Sequence, residues 1–195
     1  MSSLTILGDT SGSVVLQAPA VAGSTTLTLP STSGTLATTT TSGKILQVVQ
    51  ATKTDVQSTT SQTYSDISGL SVSITPSSST NKILVFYSVA ASNSGGSTAV
   101  QLVKNSTAIN IGTAAGGSQV AATLGNYYNT DANSVSVGSG NFLDSPATTS
   151  ATTYKLQFRV GDTGGTARIN MSFNQANAAY TLSLVSSITV MEVAA

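Results

Sequence analysis

Apolar side chains recur at every second position along most of this chain, and runs at helical spacing are scarce. In LSVSITP (70–76) Leu70, Val72 and Ile74 fall on one side and serines on the other. TYKLQFRV (153–160) sets Tyr154, Leu156, Phe158 and Val160 against Lys155, Gln157 and Arg159. Such alternation marks strands with one face in a core and the other either wet or covered by another subunit. KILVFYSVA (82–90), TAVQLVK (98–104), ARINMSF (167–173) and SSITVMEV (186–193) read as further strands, with weaker candidates in KILQVVQATKTDVQ (44–57), GSQVAATLGNYY (117–128) and YTLSLV (180–185). PSSSTN, SNSGG, GTAAGG, GSGN, DSPATT and GDTGG separate them as turns. About nine strands at this spacing predict an all-β fold, with a jelly-roll-like antiparallel β-sandwich over residues 44–195.

Residues 1–43 read differently. Between Ser13 and Lys44 the apolar positions Val14 to Leu16, Leu27, Leu29 and Leu36 are interrupted by Pro19, Gly23, Pro30 and Gly34, and no charge appears before Lys44. Strands this short cannot bury their own apolar sides. They predict an intertwined β arm, to which three copies each give one wall of a narrow prism, with Leu, Val and Ala inside and Thr and Ser outside. Val14, Leu16, Pro19, Leu27, Leu29, Pro30 and Leu36 are the residues expected to hold the trimer and anchor it, and TTTTSG (38–43) is the linker to the sandwich.

Composition narrows the function. Charged residues make up 7% of the 195-residue chain, against about 25% in ordinary soluble domains, while 39% are hydrophobic, which argues against disorder. Seven basic and seven acidic residues are scattered singly, so neither nucleic acid nor an anionic membrane is an expected partner. Few charges and a balanced sum favour association with itself. No apolar run is long enough to span a membrane, and MSSLTILGDTSGS has no leader character, which predicts synthesis in a cytoplasm.

Cysteine and histidine are both absent, which removes thiolate chemistry, histidine-based triads and histidine metal sites. A glycosidase needs only two carboxylates, and Asp131, Asp144, Asp162 and Glu192 are the candidates. Asp144 in FLDSPATT and Asp162 in GDTGG read better as turn formers. Without a DxDxDG-type loop a calcium ion would find only scattered carbonyls, so no metal and no cofactor are expected. Tyr127 and Tyr128 in GNYYN are a candidate sugar-contacting edge, against plain packing with a wet hydroxyl. Glu192, the single glutamate, shares its alternation with Ile188 and Val190, and a carboxylate on an apolar face needs a cation or hydrogen bonds. Arg159 or Arg168, from the same or a neighbouring subunit, is the expected partner, the alternative being a frayed terminal strand with Glu192 in water.

SGSVVLQAPAVAGSTTLTLPSTSGTLAT resembles a segment of many tailed-phage fibre and virion-decoration proteins, of the form G-x-[IV]-x-L-x-A-P-x-x-A-G-x-x-T-L-x-L-P-x-x-x-G-T. Here it reads Gly12, Val14, Leu16, Ala18, Pro19, Ala22, Gly23, Thr26, Leu27, Leu29, Pro30, Gly34 and Thr35. GKILQVVQ, SITPSSSTNKILV, FLDSPATTSATTYKLQF and SSITVMEV are similar to the C-terminal head domain of marine and cyanophage structural proteins. The resemblance implies homotrimers located on the virion, with an intertwined arm, β-sandwich heads about a threefold axis and no enzyme activity. A long tail fibre would carry an attachment domain and a long shaft. Their absence points to a capsid decoration, cement or head-fibre protein that binds the major capsid protein. The alternative is a short tail fibre or spike tip, seated on a tail or baseplate protein, that recognises a host-surface glycan.

Overall fold

Strands alone make up the regular structure of the computed structural model, which describes residues 3–7, 13–17, 44–127, 131–161, 163–174 and 176–195. The chain divides into two units, Met1–Ser42 and Gly43–Ala195. In the first, β1 (Ser3–Leu7) and β2 (Ser13–Gln17) form an antiparallel pair with Ser3 opposite Gln17 and Leu7 opposite Ser13. β2 is the Val14–Leu16 run. β1 is an addition to the sequence reading, signalled only by the alternation in LTIL ahead of GDTSG.

The second unit holds β3 (Ile45–Lys53), β4 (Gln57–Thr59), β5 (Ser65–Ile74), β6 (Lys82–Asn93), β7 (Ser97–Lys104), β8 (Thr107–Ile109), β9 (Leu124–Tyr127), β10 (Ser136–Asp144), β11 (Thr152–Val160), β12 (Ala167–Ile169) and β13 (Ser186–Val193). Its pairings nest: β3 with β13, β5 with β11, β6 with β10, and β7 with β9, all antiparallel. β13 also pairs with β6, and β11 with β7. The result is a jelly-roll sandwich of two sheets, β3-β13-β6-β10 and β5-β11-β7-β9. β8 continues the β9 edge of β7. Ala91 is paired with Ser136 on one side and with Ile169 on the other, so β12 takes over the β13 edge of β6 and carries β4 outside it.

The core lies between the sheets. Tyr154, Leu156, Phe158 and Val160 are all fully buried, as their alternation requires, and they share one cluster with Ile83, Val85, Tyr87, Ile188 and Val190. Each such side chain contributes about 1.5–3 kcal/mol by leaving water.

Three expectations are corrected. GSGN is not a turn but the middle of β10, because Gly138 and Gly140 face inward where Leu124 and the Tyr87 ring already occupy the space a side chain would need. ARINMSF is a strand only as far as Ile169, where Asn170 turns the chain with a φ of 67°. YTLSLV forms no strand beyond the single bridge of Met171 with Ser183, and it leaves Tyr180, Leu182 and Val185 exposed.

The sandwich has two unlike ends. At the near end Lys44 leads into β3, and the C-terminus closes beside it, with Ala194 N donating to Lys44 O at 2.8 Å and Lys44 Nζ to Ala195 O at 3.2 Å. Residues 75–81, 105–106 and 145–151 make compact connections there. The connections β3-β5, β6-β7, β9-β10, β11-β12 and β12-β13 all leave from the far end.

At that far end Ser94 N donates to Thr166 O at 3.1 Å and Thr166 N to Ser94 Oγ at 2.8 Å, which draws Gly165 onto the backbone of Gly95. A methyl on Gly165 would run into the Gly95 carbonyl and the Val160 side chain. Gly165→Ala is expected to lower stability by about 1–3 kcal/mol, read as a reduced urea midpoint at unchanged slope.

Candidate interaction surfaces

The hairpin of the first unit turns apolar side chains outward: Ile6 is 54% exposed, Leu7 78% and Val15 49%. Of the expected arm residues, Pro19, Leu27, Leu29, Pro30 and Leu36 lie outside the described residues, as do the side chains of Val14 and Leu16.

Glu192 sits on the core face of β13, as its alternation with Ile188 and Val190 predicts, and is fully buried. The expected ion pair is corrected. The carboxylate accepts from Ser77 N at 2.7 Å, Ser77 Oγ at 2.8 Å, Asn81 Nδ2 at 2.6 Å and Gln47 Nε2 at 2.5 Å, all neutral donors of its own chain. These occupy both oxygens, so no arginine is needed. Burial alone would raise the carboxyl, but the bonds from Asn81, Gln47 and Ser77 outweigh it and hold it at about 2. Arg159 instead lies 5.8 Å from the Tyr64 ring centroid, with its Nε on Val160 O, and Arg168 lies 4.4 Å from that of Phe173.

Asp144 is likewise no turn former. It ends β10 as a buried acceptor, receiving Lys104 Nζ on both oxygens at 3.0 Å and the Tyr154 hydroxyl at 2.6 Å. Burial, and then the carboxylate it donates to, push the Tyr154 phenol far above its ordinary range. Of the four carboxylates considered for glycoside hydrolysis, these two are saturated by structural bonds. Asp131 shapes a turn, accepting from Asn133 N at 2.9 Å, and Asp162 lies outside the described residues. The backbone of Tyr127 ends β9 opposite Ser97 at the far end, while its side chain and all of Tyr128 lie outside the described residues.

The outer faces of the two sheets differ in kind. On β5-β11-β7, Asp66 accepts from Lys155 Nζ at 2.9 Å and Gln157 Nε2 at 2.7 Å, and Gln101 donates to Gln157 at 2.7 Å. That face is charged and wet. On β3-β13-β6-β10 the registers align Val48, Met191, Leu84 and Leu143 in one apolar row across all four strands. The next row reads Gln50, Thr189, Phe86 and Asn141, and the one after it Thr52, Ser187, Ser88 and Ser139. Val48 is 55% exposed, Leu143 49% and Phe86 41%. Two shallow hollows flank Phe86, one bordered by Val48, Gln50, Thr189 and Met191, the other by Ser88, Ser139, Asn141 and Ser187. Lys82, beyond the apolar row at the near end, brings the one charge on these outward rows. Sequence reading did not single out this surface, because each strand contributes only one or two apolar residues to it.

No protein-family model matches the chain, and a search of curated proteins returned no relative.

Proposed function

We propose that the chain is a non-enzymatic structural protein of a bacteriophage virion: a homotrimeric capsid decoration, cement or head-fibre protein that grips the particle surface through residues 1–43 and stabilises it. The observation that carries this reading is the exposed hairpin. Two strands alone in water are marginal, and Ile6, Leu7 and Val15 turn outward from theirs. Such a unit is stable when sister arms or a particle protein cover it. The motif from Gly12 to Thr35 points to the same class of protein. The sandwich has a closed core of its own, so it stays folded whether or not the arm is engaged.

The experiment is a binding assay on particles lacking the protein, with the full chain and a Val15→Asp variant. Light scattering should give the mass of three chains for the parent. The variant, with a charge on the arm, should keep its far-ultraviolet β signal and lose attachment at least ~10-fold, consistent with the cost of burying an unpaired charge. Undiminished attachment would show that the arm is not the grip.

A second reading, a short tail fibre or spike tip that binds a host glycan, is favoured by the far end, where the connections carrying GNYYN and GDTGG both emerge. Copy number separates the two. Hundreds of chains per purified particle fit a capsid component, and a few tens or fewer fit a tail.

A further inference from the structure

We infer that copies of this chain associate through the outer face of the β3-β13-β6-β10 sheet, with Phe86 at its centre; the inference rests on the homo-oligomer proposed above. At about 4.8 Å between strands and 3.3 Å per residue the face covers on the order of 400 Å², and its apolar part is the row Val48, Met191, Leu84 and Leu143 together with Phe86. Three observations select a second copy as the occupant.

The face offers no electrostatic address to a charged partner, since its outward rows hold Lys82 alone, at the near margin. Its polar positions are Ser, Thr, Asn and Gln, each of which donates and accepts and so pairs with an identical surface. The apolar row beside Phe86, with hollows on either side of that ring, supplies both the knob and the hole that a repeat of the same surface needs. Connectivity agrees. β3, the strand that continues from the N-terminal unit, belongs to this sheet and not to the other. Copies gathered by this face about an axis along the strands therefore bring every Lys44 to one end, where their arms begin. An antiparallel twofold pair would set the Lys44 positions at opposite ends.

The chain has no cysteine, so a single introduced thiol reports one position. Val48→Cys and Gln50→Cys in the full-length protein probe the face, and Ser71→Cys, exposed on the opposite sheet, is the control. At a concentration where light scattering gives the oligomer, a bulky maleimide should label the first two at least ~20-fold more slowly than the control, as a closed interface core excludes water and reagent. Dilution to the single chain should abolish the difference. Phe86→Lys should raise the concentration of half-dissociation at least ~10-fold, because it buries a like charge from every copy. Equal labelling in a demonstrated oligomer would overturn the inference and leave self-association through the arm intact. A single-chain mass at all concentrations would overturn the proposed oligomer itself. Protection of Val48→Cys that appears only when lipid vesicles are added would assign the face to a membrane and overturn the inference as well.

Discussion

Asp144→Ala is expected to destabilise the sandwich by about 3–5 kcal/mol, the usual cost of removing one member of a buried ionic network. The carboxylate ends β10 in one sheet, while its donors, Tyr154 on β11 and Lys104 on β7, belong to the other and lie opposite each other in register. It is a strap between sheets. Tyr154 is fully buried and Asp144 nearly so, whereas the Lys104 side chain keeps 27% of its exposure. Deleting the carboxylate strands a phenolic hydroxyl with no water to turn to, and leaves an ammonium half withdrawn from solvent. Tyr154→Phe removes a hydroxyl and leaves the salt bridge, so it should cost only about 1–2 kcal/mol. Urea unfolding of both single variants and the double variant gives the coupling, which should exceed ~1 kcal/mol for groups in one network. A strap contributing nothing would leave Asp144→Ala within ~0.5 kcal/mol of the parent, the range of an ordinary surface change.

Asp144 illustrates what a sequence withholds. In FLDSPATT it has the company of a turn former, and nothing local announces that Lys104 and Tyr154 will converge on it. The strands that were legible, β5, β6, β7, β11 and β13, carry their own inward residues, so period-two alternation finds them. β10 does so only at Phe142, which packs against the core: earlier in SVGSGNFLD glycines stand where inward bulk is expected, and the bulk there comes from Leu124 on β9 and Tyr87 on β6. A strand completed by its neighbours has no signature of its own. The same holds for the outer face. Val48, Met191, Leu84 and Leu143 become a row only once three registers are fixed. Glu192 divides evenly, since its inward direction follows from the spacing to Ile188 and Val190, whereas its donors Ser77 and Asn81 lie 115 and 111 residues away in a turn.

That turn gives the second large effect its pH dependence. Glu192→Ala should cost about 3 kcal/mol near neutral pH, because bonds to a charged acceptor contribute roughly 1.5–3 kcal/mol each and incoming water recovers part of the loss at the end of the sandwich. Asn81, Ser77 and Gln47 would lose their common acceptor, and with it the seam that joins the 75–81 connection to β3 and β13. The folded carboxyl titrates at about 2 against an ordinary 4.5, so the folded state prefers the ionised form. A depressed carboxyl contributes its stabilisation fully above the unfolded value and loses it as pH falls through the folded one. The gap between parent and Glu192→Ala should therefore stay constant from pH 7 to about 5, narrow below 4.5, and close near pH 2. Glu192→Gln keeps the shape but turns an amide N–H toward other donors, so it should lose about 1–3 kcal/mol with an unchanged oligomer mass. Unfolding midpoints of all three proteins across that range make the comparison. A gap that persisted undiminished at pH 2 would mean that packing of the side chain, rather than its charge, holds the seam.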